Sequence, residues 1–247
     1  MLVAPVDMSS STLTISAMTR TGKLFENTKA GMNLQAGTCY GFVVSLNKDA
    51  NESTYAYGHE YVDLGLPSGL RWASLNVGAT VPEEYGDYFS WGEIEPKASY
   101  TPSSYLHSCS EDVNSIEGRF DNLEDIKGTD YDVARQKWGG SWRMPTDSEF
   151  RELTSCCSWK WCTINSVYGY RVTGPNGHWI FLPAAGSRYD SDLRYNGEDG
   201  YYWSATTLTN EPICALYLSF NERWKSVEGW ISYDWRIFGQ SVRPVIE

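Results

Sequence analysis

Trp138-Gly139-Gly140-Ser141-Trp142-Arg143-Met144-Pro145-Thr146-Asp147-Ser148-Glu149-Phe150-Arg151-Glu152-Leu153-Thr154-Ser155-Cys156-Cys157 carries the most specific local instruction in the chain. Thr146 has the side-chain oxygen to cap a helix, and Glu149, three residues later, completes a capping box. Phe150, Leu153 and Cys157 then fall on one helical face. Pro145 stands immediately before the cap, and Arg143 is expected to pair with a carboxylate or carbonyl, so this stretch reads as packing rather than ligand contact. Upstream, Asp130 is expected to cap a short helix running through Trp138. Its single apolar edge is Val133, Ala134 and Lys137 to Trp138, and Gly139-Gly140 stops it.

Outward from these helices the pattern changes to short strands. Residues 179–182, 201–204, 215–220 and 241–245 are rich in aromatic or branched side chains and are separated by glycine and asparagine clusters. Near the N-terminus, residues 13–17 and 40–46 alternate apolar and polar, the period of a half-buried strand. Turn chemistry lies between them at Thr21-Gly22-Lys23 and Gln35-Ala36-Gly37-Thr38. A segment of about fifty residues buries too little surface to stand alone. Residues 47–58 are polar and carry no apolar pattern. The division expected is a β segment over 1–50, a linker over 51–60 and a main domain over 61–247.

All eleven tryptophans fall between Trp72 and Trp235, so the main domain holds the aromatic mass. Of 247 residues, 41% are hydrophobic and 21% charged, which is the balance of a folded protein. Acids outnumber bases 31 to 20, and a net charge of -11 repels nucleic acid and anionic membranes alike. No run approaches the ~18 apolar residues of a membrane span. Residues 1–11 have neither the basic start nor the apolar stretch of a signal peptide, which leaves an internal protein or one whose export segment has been removed. Six cysteines are compatible with three disulfides and so favour the exported alternative, although spacing does not give the pairing. Cys156, Cys157 and Cys162 crowd together while Cys39, Cys109 and Cys214 stand alone. Zinc is disfavoured, because His178 is the nearest histidine to the cysteine cluster.

Tyr61-Val62-Asp63-Leu64-Gly65-Leu66-Pro67-Ser68-Gly69, Trp72-Ala73 and Asn76-Val77-Gly78-Ala79 resemble the start of a Fibrobacter succinogenes major paralogous (FISUMP) domain. The likeness continues through Glu84-Tyr85-Gly86-Asp87-Tyr88, Trp91-Gly92-Glu93 and Trp138 to Thr146. It ends with Ile180 to Gly186, Gly200 to Ser204 and Gly239-Gln240-Ser241-Val242-Arg243-Pro244-Val245. The resemblance implies an α+β, C-type-lectin-like domain: a twisted antiparallel sheet, about two helices and long recognising loops. Residues 13–46 are similar to the closing strands of fimbrillin-like pilus modules, giving the domain a short all-β N-terminal companion. Together the two likenesses imply a secreted or surface-displayed bacterial protein, a pilus-tip or lipoprotein adhesin. Ser74-Leu75 departs from the family where many relatives carry cysteine, and no lipoprotein cysteine lies near Met1.

Within that frame the recognition residues are sought in two places. Between Phe220 and Gly239, Arg223, Trp224, Lys225, Trp230, Tyr233, Trp235 and Arg236 occur without clean strand periodicity, as in a binding loop, with a hairpin whose aromatics pack onto the sheet as the equal alternative. Arg188, Tyr189, Asp190, Asp192, Arg194 and Tyr195 form a second candidate loop, with a solvated charged face as the plainer alternative. Calcium-dependent sugar binding is not supported, since neither Gln-Pro-Asp nor Glu-Pro-Asn occurs and Asn210-Glu211-Pro212 has the wrong order.

No enzyme is expected. His59, His107 and His178 stand apart with no nucleophile motif beside them, and phosphate-cradling glycine motifs are absent. Arg143 to Thr146 resembles the helix start of the formylglycine-generating enzyme, a fold relative that works through a late cysteine pair, whereas only Cys214 lies late here. The partners expected are a host or bacterial surface glycan or protein, or other pilus subunits, with no nucleic acid and no cofactor.

Overall fold

The computed structural model describes residues 6–18, 24–34, 54–107, 125–211, 213–223 and 231–247. The chain divides into two compact units, Met1–Asp49 and Ala50–Glu247. In the first, β1 (Val6–Met18) pairs antiparallel with β2 (Leu24–Leu34), with a register slip between Met8 and Thr12. The alternation at 13–17 lies inside β1. β2 was not expected, because Lys29-Ala30-Gly31 breaks any alternation there. The strand expected at 40–46 and both expected turns lie outside the described residues.

The second unit begins with β3 (Thr54–Ala56), β4 (His59–Asp63) and β5 (Arg71–Ala73). Two helices follow, α1 (Val133–Trp138) and α2 (Asp147–Cys156). Then come β6 (Ser158–Ile164), β7 (Val167–Thr173), β8 (Trp179–Pro183), β9 (Ser187–Tyr189) and β10 (Asp192–Arg194). The chain closes with β11 (Asp199–Thr207), β12 (Cys214–Asn221), β13 (Ile231–Trp235) and β14 (Val245–Ile246). The named strands pair antiparallel, in the orders β14-β5-β4-β3, β6-β7-β8, β9-β10 and β11-β12-β13. The architecture is β-rich α+β.

Several sequence expectations need correction. Residues 54–60, read as linker, form the β3–β4 hairpin, turned at Tyr57-Gly58 with both residues at positive φ. Residues 158–173, not anticipated as strands, form the β6–β7 hairpin, because Trp159 and Trp161 pack edge-to-face on Tyr170 across it and lie against the core. Of the strand expected at 241–245, Val245 pairs opposite Trp72 and Ser241 forms only an isolated bridge to Tyr202, while the paired strand runs on to Ile246 opposite Arg71. The first helix is capped by Asp132, not Asp130. The Asp132 carboxylate accepts from the amides of Arg135 at 3.1 Å, Met144 at 2.9 Å and Gly128 at 2.8 Å, binding the cap into a neighbouring segment as local sequence could not foretell.

The capping box of α2 forms as expected, with reciprocal bonds between Thr146 and Glu149. Phe150 and Leu153 point from it into a core of Trp72, Tyr170, Val172, Ile180, Leu182, Tyr202, Leu218 and Phe220, while Cys157 is only half-buried at its end. A second core gathers Trp91, Met144, Trp203, Tyr217 and Val242 beside α1. Arg143 lies beneath the α2 cap in a bidentate pair with Glu149 at 2.8 and 2.7 Å. Burial pulls the Glu149 carboxyl upward, but the bonds from Arg143 and the Thr146 amide outweigh it and hold it below its ordinary range. Arg243 is fully buried and donates to Asn76 Oδ1 at 2.8 Å, Ala73 O at 3.0 Å and Phe181 O at 2.8 Å. One guanidinium thus joins β5, β8 and the C-terminal segment.

Candidate functional site

The second candidate loop is a hairpin. Arg188 and Tyr189 lie on β9 and Asp192 and Arg194 on β10, with Asp192 opposite Tyr189 and Leu193 opposite Arg188. Asp190 at φ 54° and Tyr195 at φ 59° adopt the left-handed backbone that turns the chain at each end. Gly186, at φ 66°, lies so close to Arg194 O that a Cβ there would collide with it, so glycine permits the hairpin to fold back on its own stem. The Arg194 guanidinium sits 5.0 Å from the centre of the Tyr189 ring and 3.5 Å from Asp192 Oδ2. Arg188 lies 5.1 Å over Tyr88. Tyr195 is exposed.

The first candidate loop is partly a strand. β13 pairs with β12 in the register Cys214 to Trp235 and Leu216 to Tyr233. Its outward positions are Tyr233, 53% exposed, and Trp235, 47% exposed, as the strand period requires of residues two apart. Asp234 points the other way. Arg223 is exposed at the end of β12, and Trp224, Lys225 and Trp230 lie outside the described residues. Arg236 is a correction: it is 1% exposed, with its guanidinium 4.6 Å over Trp91 and bonded to Thr207 Oγ1 at 2.6 Å and Cys214 O at 3.3 Å. It belongs to the core and is withdrawn from the ligand-binding set.

The tertiary structure joins these two places. Arg188 and Gly239 exchange backbone hydrogen bonds, so the segment after β13 runs against β9. Phe238, which the sequence did not single out, provides the link between side chains. Trp235 stacks on Phe238 at 6.2 Å and 28°, and Phe238 packs on Tyr189 at 5.1 Å. Trp235, Phe238, Tyr189 and Arg194 therefore form a continuous ridge of rings ending in a guanidinium. Buried Tyr105 and Ile237 support it from below, with Ile213 beside them. A ridge on a packed base presents its rings already ordered, which lowers the entropic cost of binding. A signal for Phe238 existed in its spacing of three from Trp235, but sequence alone does not say that the chain turns there.

The titratable groups around the ridge are shaped by burial. Burial pushes the Asp234 carboxyl up to about 6, against the bonds it accepts from the Trp235 amide and Gln240 Nε2. Burial and the nearby Glu211 and Asp234 push the Cys214 thiol up to about 11, and it is 2% exposed. Cys156, Cys157 and Cys162 are free thiols too, and Cys39 and Cys109 lie outside the described residues. The expectation of three disulfides is thereby corrected: all four cysteines among the described residues are free. Among the described residues, no three His, Cys, Asp or Glu side chains gather closely enough to hold a metal ion, and no helix is long and apolar enough to cross a membrane.

Comparison with protein-family models, curated proteins and solved structures found no match for the chain.

Proposed function

We propose that this chain is a binding protein of C-type-lectin-like architecture, working at the outer surface of a cell or on a pilus, whose ridge from Trp235 to Arg194 receives a glycan or protein ligand. The observation that carries the reading is the contact of Phe238 with both Trp235 and Tyr189, which makes one surface of two separately suspected segments. The family resemblance of residues 61–245 supports the architecture. So do a β-rich α+β unit with two helices and the pairing of its last strand with β5 near its start.

The chemistry of the ridge suits a flat, partly apolar ligand. Tryptophan and tyrosine faces stack on the C–H face of a sugar ring, and a guanidinium donates to its oxygens without needing a metal. Tryptophan, tyrosine and arginine also carry most of the energy of protein interfaces. A glycan array, probed with and without calcium, separates these ligands. Specific signal that falls in a Trp235→Ala/Tyr189→Ala double variant supports glycan binding at the ridge. A blank array alongside ridge-dependent capture of a surface protein moves the ligand class to protein. Binding that survives the double variant unchanged removes the ridge as the site.

A further inference from the structure

We infer that Asp234 is the positioning residue of the ridge, a carboxylate latch that ties the Trp235 end of β13 to the Phe238–Gln240 segment and lets go when it takes up a proton. Its bearing on ligand binding rests on the ridge being the ligand surface; the latch itself does not. Asp234 lies between the two outward aromatic residues of β13 and faces inward. Its Oδ1 accepts from the backbone amide of Trp235 at 2.8 Å. Its Oδ2 accepts from Gln240 Nε2 at 3.4 Å. The first bond fixes the carboxylate against its own strand, and the second spans the turn that carries Phe238, so together they set where Trp235 and Phe238 stand relative to each other.

Gln240 is placed to respond. Its backbone is fixed, because Gln240 and Phe89 exchange hydrogen bonds at 3.0 and 3.1 Å. Its side chain is buried, and its Oε1 has no hydrogen-bond partner. While Asp234 is ionised, Gln240 offers it a donor and leaves that oxygen unsatisfied. A proton on Oδ2 turns the carboxyl oxygen into a donor, which an amide N–H cannot accept. The present bond is then weakened, because the neutral oxygen is a poorer acceptor, and Gln240 is drawn either to shift away or to turn its unpaired oxygen toward the carboxyl O–H. Either response changes the hold on the Phe238 turn.

Among the described residues, the titratable and charged groups around Asp234 come from its own strand, β12 and β11. From β12, Cys214 and Tyr217 face it, and burial pushes both upward so that they stay protonated. Glu211 lies against Cys214 at 3.8 Å, and Asp199 acts on Tyr217 from β11. Arg236, two residues on, carries its charge over Trp91 and toward Thr207. The Asp234 carboxyl itself is held up to about 6.

Amide proton and nitrogen shifts of the full chain between pH 4.5 and 8 test the latch without any ligand, with the Asp234→Asn variant as the control. The expected result is that the Trp235 backbone amide and the Gln240 side-chain amide move together, with a shared midpoint near pH 6 that is absent from the variant. Resonances that stay flat across this range, move with different midpoints, or titrate unchanged in the variant overturn the proposal. Where the shared midpoint is found, binding of the array-positive glycan with the same midpoint links the latch to the ridge. If the amides titrate while binding does not, the latch stands and its link to ligand binding is overturned, while the double variant decides the ridge separately.

Discussion

Arg188 and Gly239 are hydrogen-bonded in both directions: Arg188 N donates to Gly239 O at 2.7 Å, and Gly239 N donates to Arg188 O at 2.9 Å. That exchange sets the β9–β10 hairpin beside the segment leaving β13, and every feature of the ridge depends on it.

Gly239→Ala should weaken this junction. A Cβ at Gly239 would lie 2.6 Å from the Tyr100 ring, and Tyr100 cannot retreat, being 1% exposed with its hydroxyl bonded to Tyr88 O at 2.6 Å. Overpacking of this kind costs about 1–3 kcal/mol. Chemical denaturation should show that loss, and amide exchange should show it concentrated at Arg188.

Adjacent residues should behave in opposite ways. Trp235→Ala removes an exposed ring and should lower ligand binding at least about tenfold while leaving the melting temperature within a degree or two. Arg236→Ala removes a buried guanidinium from over Trp91 together with its bonds to Thr207 and the Cys214 carbonyl, and should cost roughly 2–4 kcal/mol of stability. Paired thermal melts and binding assays check both.

The two half-buried carboxyls should shift stability with pH in opposite directions. Glu149, held low by Arg143, contributes stability that is present above its unfolded value and lost as pH falls through its folded one. Glu149→Gln should therefore cost about 2 kcal/mol at pH 7, and the difference from the parent should shrink below about pH 4. Urea titrations at a series of pH values measure it.

Asp234 gives the reverse sign. Its folded value of about 6 lies above the unfolded one, so its favourable contribution is complete below about pH 4 and disappears as pH rises through 6. Asp234→Asn should be more stable than the parent at pH 7.5 by roughly 2 kcal/mol, with the gap closing in acid. A variant that is less stable at pH 7.5 would contradict the assignment.

Cys214 should be inert in the folded protein. With its thiol pushed up to about 11 and the side chain 2% exposed, about a thousandth of it is thiolate at pH 8. A short alkylation pulse read by mass spectrometry should leave Cys214 unmodified until the protein unfolds, and no activity should depend on Cys214→Ala.

How much of this was legible in the sequence follows from the range of each interaction. The α2 cap was readable because Thr146 and Glu149 satisfy one another within a single turn. β8, β11 and β12 were readable from branched and aromatic runs that the structure keeps and lengthens. The cap of α1 was misplaced by two residues because Asp132 is chosen by the Met144 amide as well as by its own helix. β6 was missed because its alternation is of tryptophans against lysine and serine, among cysteines that drew attention to metal and redox chemistry instead.

The sequence by itself determined which residue types the site would use, since the arginines and aromatics of 188–195 and 223–236 were identifiable without coordinates. It also determined the α2 start, whose bonds lie within three residues. Only the tertiary structure decided that these two stretches form one surface, that Phe238 joins them, and that Trp235 faces solvent while Arg236 lies buried. The physical reason is that a side chain's direction at a strand end is fixed by the partner strand and by the turn beyond it. Here those are β12 and the segment paired with Arg188, and no local pattern in 231–239 specifies either.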